Sequence, residues 1–248
     1  MFYYKTNKYT IRLLNKNDEK ELYKVQKLRY DHLLKEFNPS LKDGGIDNDG
    51  NDDSCDSILV IDNLTNDIVG TYRIATKKTK NGKPFLTESE FNIKSLLSND
   101  FEVLELGRAV VHKNYRDGSV INLLWSAIVQ YCLDYDCKYM FGTFSFHGVD
   151  PTIYNDVLAY INKHYAEKTF NMFATKDSFE YPTYEIDEKE IIKKIPSLLK
   201  AYLSIEATTI SKNGFIDYDF KSCDIITLVD ISKLNPLKLQ FFLRKLKK

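Results

Sequence analysis

The sequence lacks any long apolar segment. No hydrophobic run approaches the roughly 18 residues expected of a membrane-spanning helix, and the first residues, MFYYKTNKYT, lack the basic stretch and apolar core of a secretory leader. The four cysteines form no C-x-x-C pair, and a chain of 248 residues needs no disulfide framework. These absences predict a chain that works in a reducing cytoplasm.

An excess of charge is also missing. Lys and Arg total 35 and Asp and Glu total 35, so nothing directs the chain to nucleic acid. The four histidines show no metal-ligand spacing, and the sequence therefore predicts no metal site. The sequence has no G-x-S-x-G, Walker or G-x-G-x-x-G motif. Their absence excludes the common hydrolases, nucleoside triphosphatases and dinucleotide-binding enzymes.

The amino-terminal third begins with regular elements and then becomes polar. Hydrophobic spacing predicts a strand at 9–14 and a helix at 18–37. The acidic, glycine-rich segment 38–54 that follows is predicted to be a loop, and it is a candidate binding loop because regular elements enclose it. Its acids could bind calcium, recognise an amine or be solvated. The EF-hand template is only approached there, and its final glutamate is absent, which disfavours calcium.

The rest of the chain alternates strands and helices. The predicted strands are 57–62, 68–75, 103–111, 138–146 and 225–229, and the predicted helices are 119–135, 150–166 and about 195–205. A hairpin followed by strand, helix and strand predicts an α/β fold with a mixed central sheet flanked by helices. We expect one domain at 1–165 and a carboxyl-terminal extension, 166–248, packed on it.

The strand VLELGRAVV carries charge inside an apolar run. In a regular strand Glu105 and Arg108 would point to opposite faces, whereas a bulge near Gly107 would turn Arg108 toward Glu105 and free a backbone N–H. Arg73, in the strand IVGTYRIA, is a second arginine that needs a carboxylate. Buried charges cost free energy unless they are paired or used, so a structural ion pair and a catalytic group both fit.

The turn after this strand could bind an anion. Arg116, Gly118 and Ser119 lie at the start of the helix 119–135, where unpaired backbone N–H groups and the helix dipole favour a phosphate. The same residues also suit an ordinary helix-entry turn. The sequence leaves both interpretations open.

Several segments together carry a family pattern: VGTYRIA, SEFNIKSLL, LELGRAVVHKNYRDGSVINLLW, YMFGTFSF and IPSLLKAYLSIEA. They resemble the ornithine-acyl carrier protein N-acyltransferases, or lyso-ornithine lipid synthases, of the GNAT superfamily, which are related to the acyl-homoserine lactone synthases. The resemblance covers nearly the whole chain. It implies a GNAT-like acyltransferase fold and transfer of a long-chain (3-hydroxy)acyl group to the α-amine of ornithine or a similar small amino acid.

The resemblance also implies catalytic roles. Glu105 would take the proton from the substrate ammonium, directly or through water, while Arg108 and Arg73 would orient it and hold the amino-acid carboxylate. A backbone N–H in the 109–111 region would polarise the thioester carbonyl. No covalent acyl-enzyme is required.

Substrate-binding residues follow from the same resemblance. Arg29 on the first helix is implied, and Asp49 and Asp52 stand at the spacing of the family's paired acids. Where the family has an aromatic residue before the second acid, this chain has Asn51.

The implied acyl donor is the acyl-phosphopantetheine of acyl carrier protein, or acyl-CoA, and no cofactor is expected to stay bound. The pantetheine arm would lie around Val110 and Phe144, with its phosphate near Arg116, Gly118 and Ser119.

Two basic sets are candidate docking surfaces for an acidic carrier protein, or simply solvated charge. They are Lys77, Lys78, Lys80 and Lys83, and Lys238, Arg244, Lys245, Lys247 and Lys248. The carboxyl-terminal tail also has an apolar side, which suits peripheral contact with the inner membrane face or packing on the core. That side comprises Leu237, Phe241, Phe242 and Leu246.

Three other functions stay open at this stage. An acetyl-CoA-dependent GNAT acetyltransferase would show a Q/R-x-x-G-x-G/A loop, whereas this chain has HKNYRDGS. An acyl-homoserine lactone synthase would not be expected to share the carboxyl-terminal segments. A non-enzymatic acyl-binding protein would use the strand charges only for stability.

Overall fold

The computed structural model describes residues 2–205 and 207–246, which form both strands and helices. The strands are β1 (Tyr3–Lys5), β2 (Tyr9–Leu13), β3 (Asp56–Asp62), β4 (Ile68–Thr76), β5 (Phe91–Asn92), β6 (Glu102–Val111), β7 (Cys137–His147), β8 (Phe173–Ala174), β9 (Ser178–Phe179), β10 (Thr208–Ile210), β11 (Gly214–Asp217) and β12 (Ser222–Asp230). The α-helices are α1 (Glu19–Arg29), α2 (Lys35–Phe37), α3 (Lys77–Lys80), α4 (Lys94–Leu97), α5 (Ser119–Asp134), α6 (Asn155–Tyr165), α7 (Glu188–Lys194), α8 (Ser197–Leu203) and α9 (Pro236–Lys245). The predicted α/β fold, with sheet strands flanked by helices, is confirmed.

The chain forms two compact units. Unit 1 comprises Met1–Lys83, Leu104–Cys137 and Asn235–Lys248, and unit 2 comprises Pro84–Val103 and Lys138–Leu234. The predicted boundary at residue 165 does not coincide with this division. Strands β10 and β12 pair in unit 2, where β12 also pairs with β7, while α9 returns to unit 1 and packs against α5.

Unit 1 is built on an antiparallel sheet in the order β1, β2, β3, β4, β6. Val25 of α1 packs with Leu59 and Ile61 of β3. Gly70 of β4 lies against α5, where an added Cβ would come within 2.4 Å of a methyl carbon of Val120. Because alternate strand residues point to opposite faces, α1 and α5 cover the two faces of the sheet.

In unit 2, β12 lies between β7 and β11, is antiparallel to both, and also pairs with β10. All nine residues of β12 are buried. Its Cys223 and Ile225 pack with apolar side chains of α6 and α8, including Leu158 and Leu199. The residues after 165 therefore supply central strands as well as covering helices.

Within the described part of the chain, no helix is both long and apolar enough to cross a membrane.

Candidate active site

Strand β6 contains a bulge at the position that carries its charges. Arg108 and Ala109 together oppose the single residue Tyr72 of β4, which is the two-against-one pattern of a β-bulge. Arg108 has a φ of 53°, in the left-handed region that few residues other than glycine adopt. Residues 107–109 are half-buried, whereas the preceding Val103–Leu106 stretch is buried. The bulge that the sequence analysis considered near Gly107 is therefore present, and it opens the strand to solvent there.

The Glu105 carboxylate lies beside this opening. Glu105 is only 6% exposed and pairs across the sheet with Ala75, while Gly107 pairs with Arg73. Directly opposed and alternate residues share a face, so the side chains of Glu105 and Arg73 are on one face of the sheet with Gly107. A Cβ added at Gly107 would meet nothing within 4 Å. The buried Glu105 is therefore two residues along the strand from open space, on the same face of the sheet.

The acidic loop is anchored to α1 by a buried ion pair. Arg29, the last residue of α1, donates from Nη1 and Nη2 to the two carboxylate oxygens of Asp52 at 2.7 and 2.8 Å. Its Nη2 also donates to the Asp47 carbonyl at 2.7 Å, and its Nε lies 2.9 Å from Asp47 Oδ2. Gln26 Nε2 donates to Asp52 at 3.0 Å. These contacts fix the loop to the carboxyl end of the helix.

The sheet arginines bind the same loop. Arg73 donates two parallel hydrogen bonds of 2.7 Å to Asp49, the bidentate geometry that favours arginine over lysine. Arg108 donates from Nε to Asp47 at 3.0 Å and from Nη2 to Asp49 at 3.2 Å. The structure thus brings together the predicted Arg29, Asp49, Asp52, Arg73 and Arg108, and adds Asp47.

Burial separates the members of this cluster into two groups. The side chains of Arg29, Asp47, Arg73 and Asp52 are at most 8% exposed. Those of Asp49 and Arg108 are each 20% exposed. Asp49 and Arg108 are therefore the members that a small molecule can reach, while the others hold them in position.

The carboxylates of Asp49 and Asp52 stay ionised. Burial by itself would raise the pKa of Asp49, but its hydrogen bonds to Arg73 and the charge of Arg108 hold that pKa well below its ordinary value. Asp52 shows the same balance, since Arg29 and Gln26 outweigh its burial and lower its pKa. Both residues are therefore anions at neutral pH.

Cys55, which follows the loop, is not poised as a nucleophile. Burial raises the pKa of its thiol; Arg73 and Lys80 oppose this rise, and Glu105 adds to it. The thiol therefore remains protonated at neutral pH.

The start of α5 differs from a ready anion site. Gly118 has a φ of 90° and caps the helix, but the Asp117 carboxylate accepts from the Ser119 N–H at 2.8 Å and from its hydroxyl at 2.6 Å. Arg116 donates to Glu36 at 2.6 Å and to the Val111 carbonyl at 3.0 Å. The side chains of Asp117 and Glu36 thus already supply negative charge to this helix entrance.

The comparisons bear on the activity of this arrangement. Residues 28–126 match the acetyltransferase (GNAT) domain, a stretch that includes the cluster, Glu105 and the bulge. The chain is an acyltransferase.

Curated relatives extend the similarity beyond that domain. The acyltransferase is 26% identical to an L-ornithine N(alpha)-acyltransferase of Rhodobacter capsulatus over 96% of its own length and 95% of the relative. It is 28% identical to an L-ornithine N(alpha)-acyltransferase of Brucella abortus over 79% of its own length and 74% of the relative.

Solved structures share the fold. BjaI, a CoA-dependent acyl-homoserine lactone synthase with SAM and isopentyl-CoA bound, superposes with a TM-score of 0.57 at 15% identity and covers 96% of this chain and 89% of its own. MesI, another CoA-dependent acyl-homoserine lactone synthase, superposes with a TM-score of 0.51 at 13% identity. The match covers 96% of this chain and 95% of MesI.

The remaining predicted residues of the acyltransferase lie on separate strands. Val110 is buried in β6, directly after the bulge, in unit 1. Phe144 is buried in β7 of unit 2, where its ring packs edge-on against Phe146 at 5.0 Å.

Sequence reasoning missed three contributors to the cluster. Asp47 and Gln26 bind Arg29 and Asp52, and Asn51 donates its backbone N–H to Asp49 at 3.1 Å. The Asx-turn spacing of Asp49 and Asn51 could have indicated the last of these contacts.

Elsewhere in the acyltransferase, Glu90, Asp217 and Asp224 of unit 2 place carboxylate oxygens within 4.8 Å of one another, a group that could hold a metal ion. Sequence spacing does not single out these residues.

Proposed function

We propose that this acyltransferase moves a long-chain (3-hydroxy)acyl group from acyl carrier protein to the α-amine of ornithine. Two relatives that are L-ornithine N(alpha)-acyltransferases, aligned with most of the chain, support the acceptor. The family supports an acyl thioester, carried by acyl carrier protein or CoA, as the donor. The product would be an N-acylated amino acid with one apolar chain and a charged head.

Glu105 is the proposed general base. The amine is protonated at neutral pH, so it must lose a proton before its nitrogen can attack the thioester carbon. A carboxylate placed at the reacting nitrogen accelerates such a step by about 10²- to 10⁴-fold. The C–N bond then forms, the attacking nitrogen gives up a second proton, and the C–S bond breaks. Of the two protons lost by the amine, one goes to the departing pantetheine thiolate and the other passes to water.

The open space over Gly107 is the proposed place for the reacting amine. Glu105 lies two residues along the strand from it, on the same face of the sheet, and the bulge at Arg108 and Ala109 interrupts the strand pairing there. A backbone N–H left unpaired by the bulge would donate to the developing oxyanion.

The accessible members of the cluster suit the charges of ornithine. Arg108 would bind the α-carboxylate, and Asp49 would face the side-chain ammonium. Arg29, Asp52 and Arg73 are nearly inaccessible, so we assign them to positioning the loop rather than to contact with substrate.

The donor phosphate is proposed to bind at the start of α5, near Arg116, Gly118 and Ser119. For this to happen, the Asp117 carboxylate must give up its bonds to Ser119, because two anions cannot share the same donors.

The basic set after β4 remains a proposed docking surface for the carrier protein, with one correction. Lys80 is 2% exposed and donates to Ser54 Oγ at 3.2 Å, so it cannot contact a partner. The docking set is therefore reduced to Lys77, Lys78 and Lys83. We further propose that the reaction takes place in the cytoplasm at the inner membrane face, since its product is amphiphilic.

The observation that carries the proposal is the buried Glu105 carboxylate beside the strand opening. Replacing Glu105 by Gln keeps its shape and removes its basicity. We expect kcat to fall about 10²-fold or more, with little change in the acceptor KM.

Glu102→Gln on the same strand is the matched control and should keep near wild-type turnover. Equal turnover of the Glu105→Gln enzyme and the wild type would eliminate Glu105 as the base.

A further inference from the structure

Helix α9 presents apolar side chains on both sides. Leu239, Phe242 and Leu243 are half-buried and Leu246 is buried, because the helix packs against α5. We call the opposite side, formed by Leu237, Gln240, Phe241 and Arg244, the outward face.

The outward face exposes large apolar groups. Leu237 is 75% exposed and Phe241 is 55% exposed, and they lie four residues apart on one stripe. With Gln240, Arg244 and Lys245 they line a shallow groove of about 420 Å³. Single exposed apolar residues are ordinary, but two adjacent ones on a short helix form a patch.

Positive charge surrounds this patch. Residues 231–248 contain six of the chain's basic residues and none of its acidic ones, although the whole chain is neutral. Lys245 Nζ lies 4.0 Å from the centre of the Phe241 ring, and Lys238 and Arg244 belong to the same helix. Lys247 and Lys248 lie outside the described residues.

We propose that α9 docks the acyltransferase on the surface of an anionic lipid bilayer, with Leu237 and Phe241 entering the interface and Lys238, Arg244 and Lys245 contacting the headgroups. The proposal deepens the proposed function, because a membrane would receive its amphiphilic product. The physical basis is that of interfacial helices, which combine buried apolar area with attraction to anionic lipid.

The structure refines the apolar side expected from the sequence. Phe242 and Leu246 face the protein, so of the four predicted residues only Leu237 and Phe241 are exposed enough to enter lipid. An acidic carrier protein could be attracted by the same cations, but it would not require two protruding apolar side chains between them. We therefore favour the bilayer as the occupant.

The test is cosedimentation of the full chain with vesicles of phosphatidylcholine, with or without phosphatidylglycerol, in the absence of donor and acceptor. We expect binding only to phosphatidylglycerol vesicles, and weaker binding at high salt. The double variant Leu237→Ser and Phe241→Ser should bind about tenfold more weakly or worse. Arg244→Gln, which removes one positive charge from the helix, should weaken vesicle binding about fivefold.

Matched controls lie in the same unit. Leu64, which is 93% exposed in the turn between β3 and β4, is replaced by Ser, and the exposed Lys24 of α1 by Gln. Both variants should bind as the wild type does. Thermal unfolding of every variant shows whether the fold is retained.

Three results would overturn the proposal. The first is equal binding of the wild type and the double variant, and the second is binding that does not depend on phosphatidylglycerol. The third is no vesicle binding by the wild type, with Leu237 and Phe241 needed instead for self-association or for binding to the carrier protein. Acyl transfer to a soluble acceptor is measured separately, so a failure of membrane docking and a failure of the proposed reaction are distinguishable.

Discussion

The ion pair between Arg29 and Asp52 should be the main anchor of the acidic loop, and Asp52→Asn tests it. Arg29 is completely buried, and Asp52 accepts two hydrogen bonds from it. Removing one partner of a buried pair costs about 3–5 kcal/mol, because the other charge is left uncompensated. Asn keeps one acceptor and Asp47 still contacts Arg29, so we expect the lower end, about 3 kcal/mol.

Trp125 provides the assay. It is the single tryptophan of the chain and is buried in α5 of unit 1, the unit that contains the ion pair. Urea unfolding followed by its fluorescence should show the loss of stability. Thermal unfolding should occur about 6–12 °C lower, at 2–4 °C for each kcal/mol. Asp53→Asn, at an exposed neighbouring acid, should change stability by less than about 0.5 kcal/mol.

The pH dependence of the Asp52 effect has a definite sign. The folded protein lowers the pKa of Asp52, so its contribution is complete above the unfolded pKa, about 3.9, and is lost as the pH falls through the folded pKa. The difference between wild type and Asp52→Asn should therefore persist at about pH 5 to 7, which lies above the unfolded pKa, and shrink in stronger acid. A difference near zero at neutral pH, or one that grows in acid, would refute the reasoning.

Two further changes test the packing and the donor site. Gly70→Ala should destabilise unit 1 by about 1–3 kcal/mol in urea unfolding, because its Cβ would meet Val120, whereas Gly107→Ala should fold normally because its Cβ enters open space. Equal stabilities would contradict this packing. Asp117→Asn should lower the donor KM about twofold to fivefold, because it removes an exposed anion from the phosphate site at a gain of up to about 1 kcal/mol. An unchanged or higher donor KM in steady-state kinetics would place the phosphate elsewhere.

Hydrophobic periodicity located the strands and helices whose burial is continuous. Strands β3, β4, β6 and β7 and helix α5 begin and end within about two residues of the predicted bounds, because each is apolar on the faces that the core covers. The sequence also indicated what a bulge would change here, since in a regular strand Glu105 and Arg108 would point to opposite faces of the sheet.

Other elements depend on contacts that local patterns do not contain. The helix predicted at 18–37 is α-helical from Glu19 to Arg29, continues as a π-helical turn at Tyr30–Leu34 and ends as the α-helical turn Lys35–Phe37. Strands β9, β10 and β11 are two to four residues long and are defined by their pairing partners. Helix α9 did carry a local signal in Asn235 followed by Pro236, a cap and first-turn pair, although the sequence was interpreted as a basic tail.

The site was predicted residue by residue, but its connections were not. Arg73 does bind a carboxylate, as expected, and Arg29 and Arg108 also bind carboxylates of the acidic loop. The partnership of Arg108 with Asp47 spans 61 positions of the chain, and such a pairing follows from the fold rather than from spacing. The substrate-contact role expected for Arg29 conflicts with its complete burial.

The most direct measurement of the central claim is mass spectrometry of the products formed from purified protein, 3-hydroxyacyl carrier protein and a panel of amino acids. We expect one new N-acylated product, on the α-nitrogen of ornithine, and its loss with Glu105→Gln. Transfer only from acetyl-CoA, or formation of an acyl-homoserine lactone from S-adenosylmethionine with no acylated ornithine, would contradict the proposed reaction.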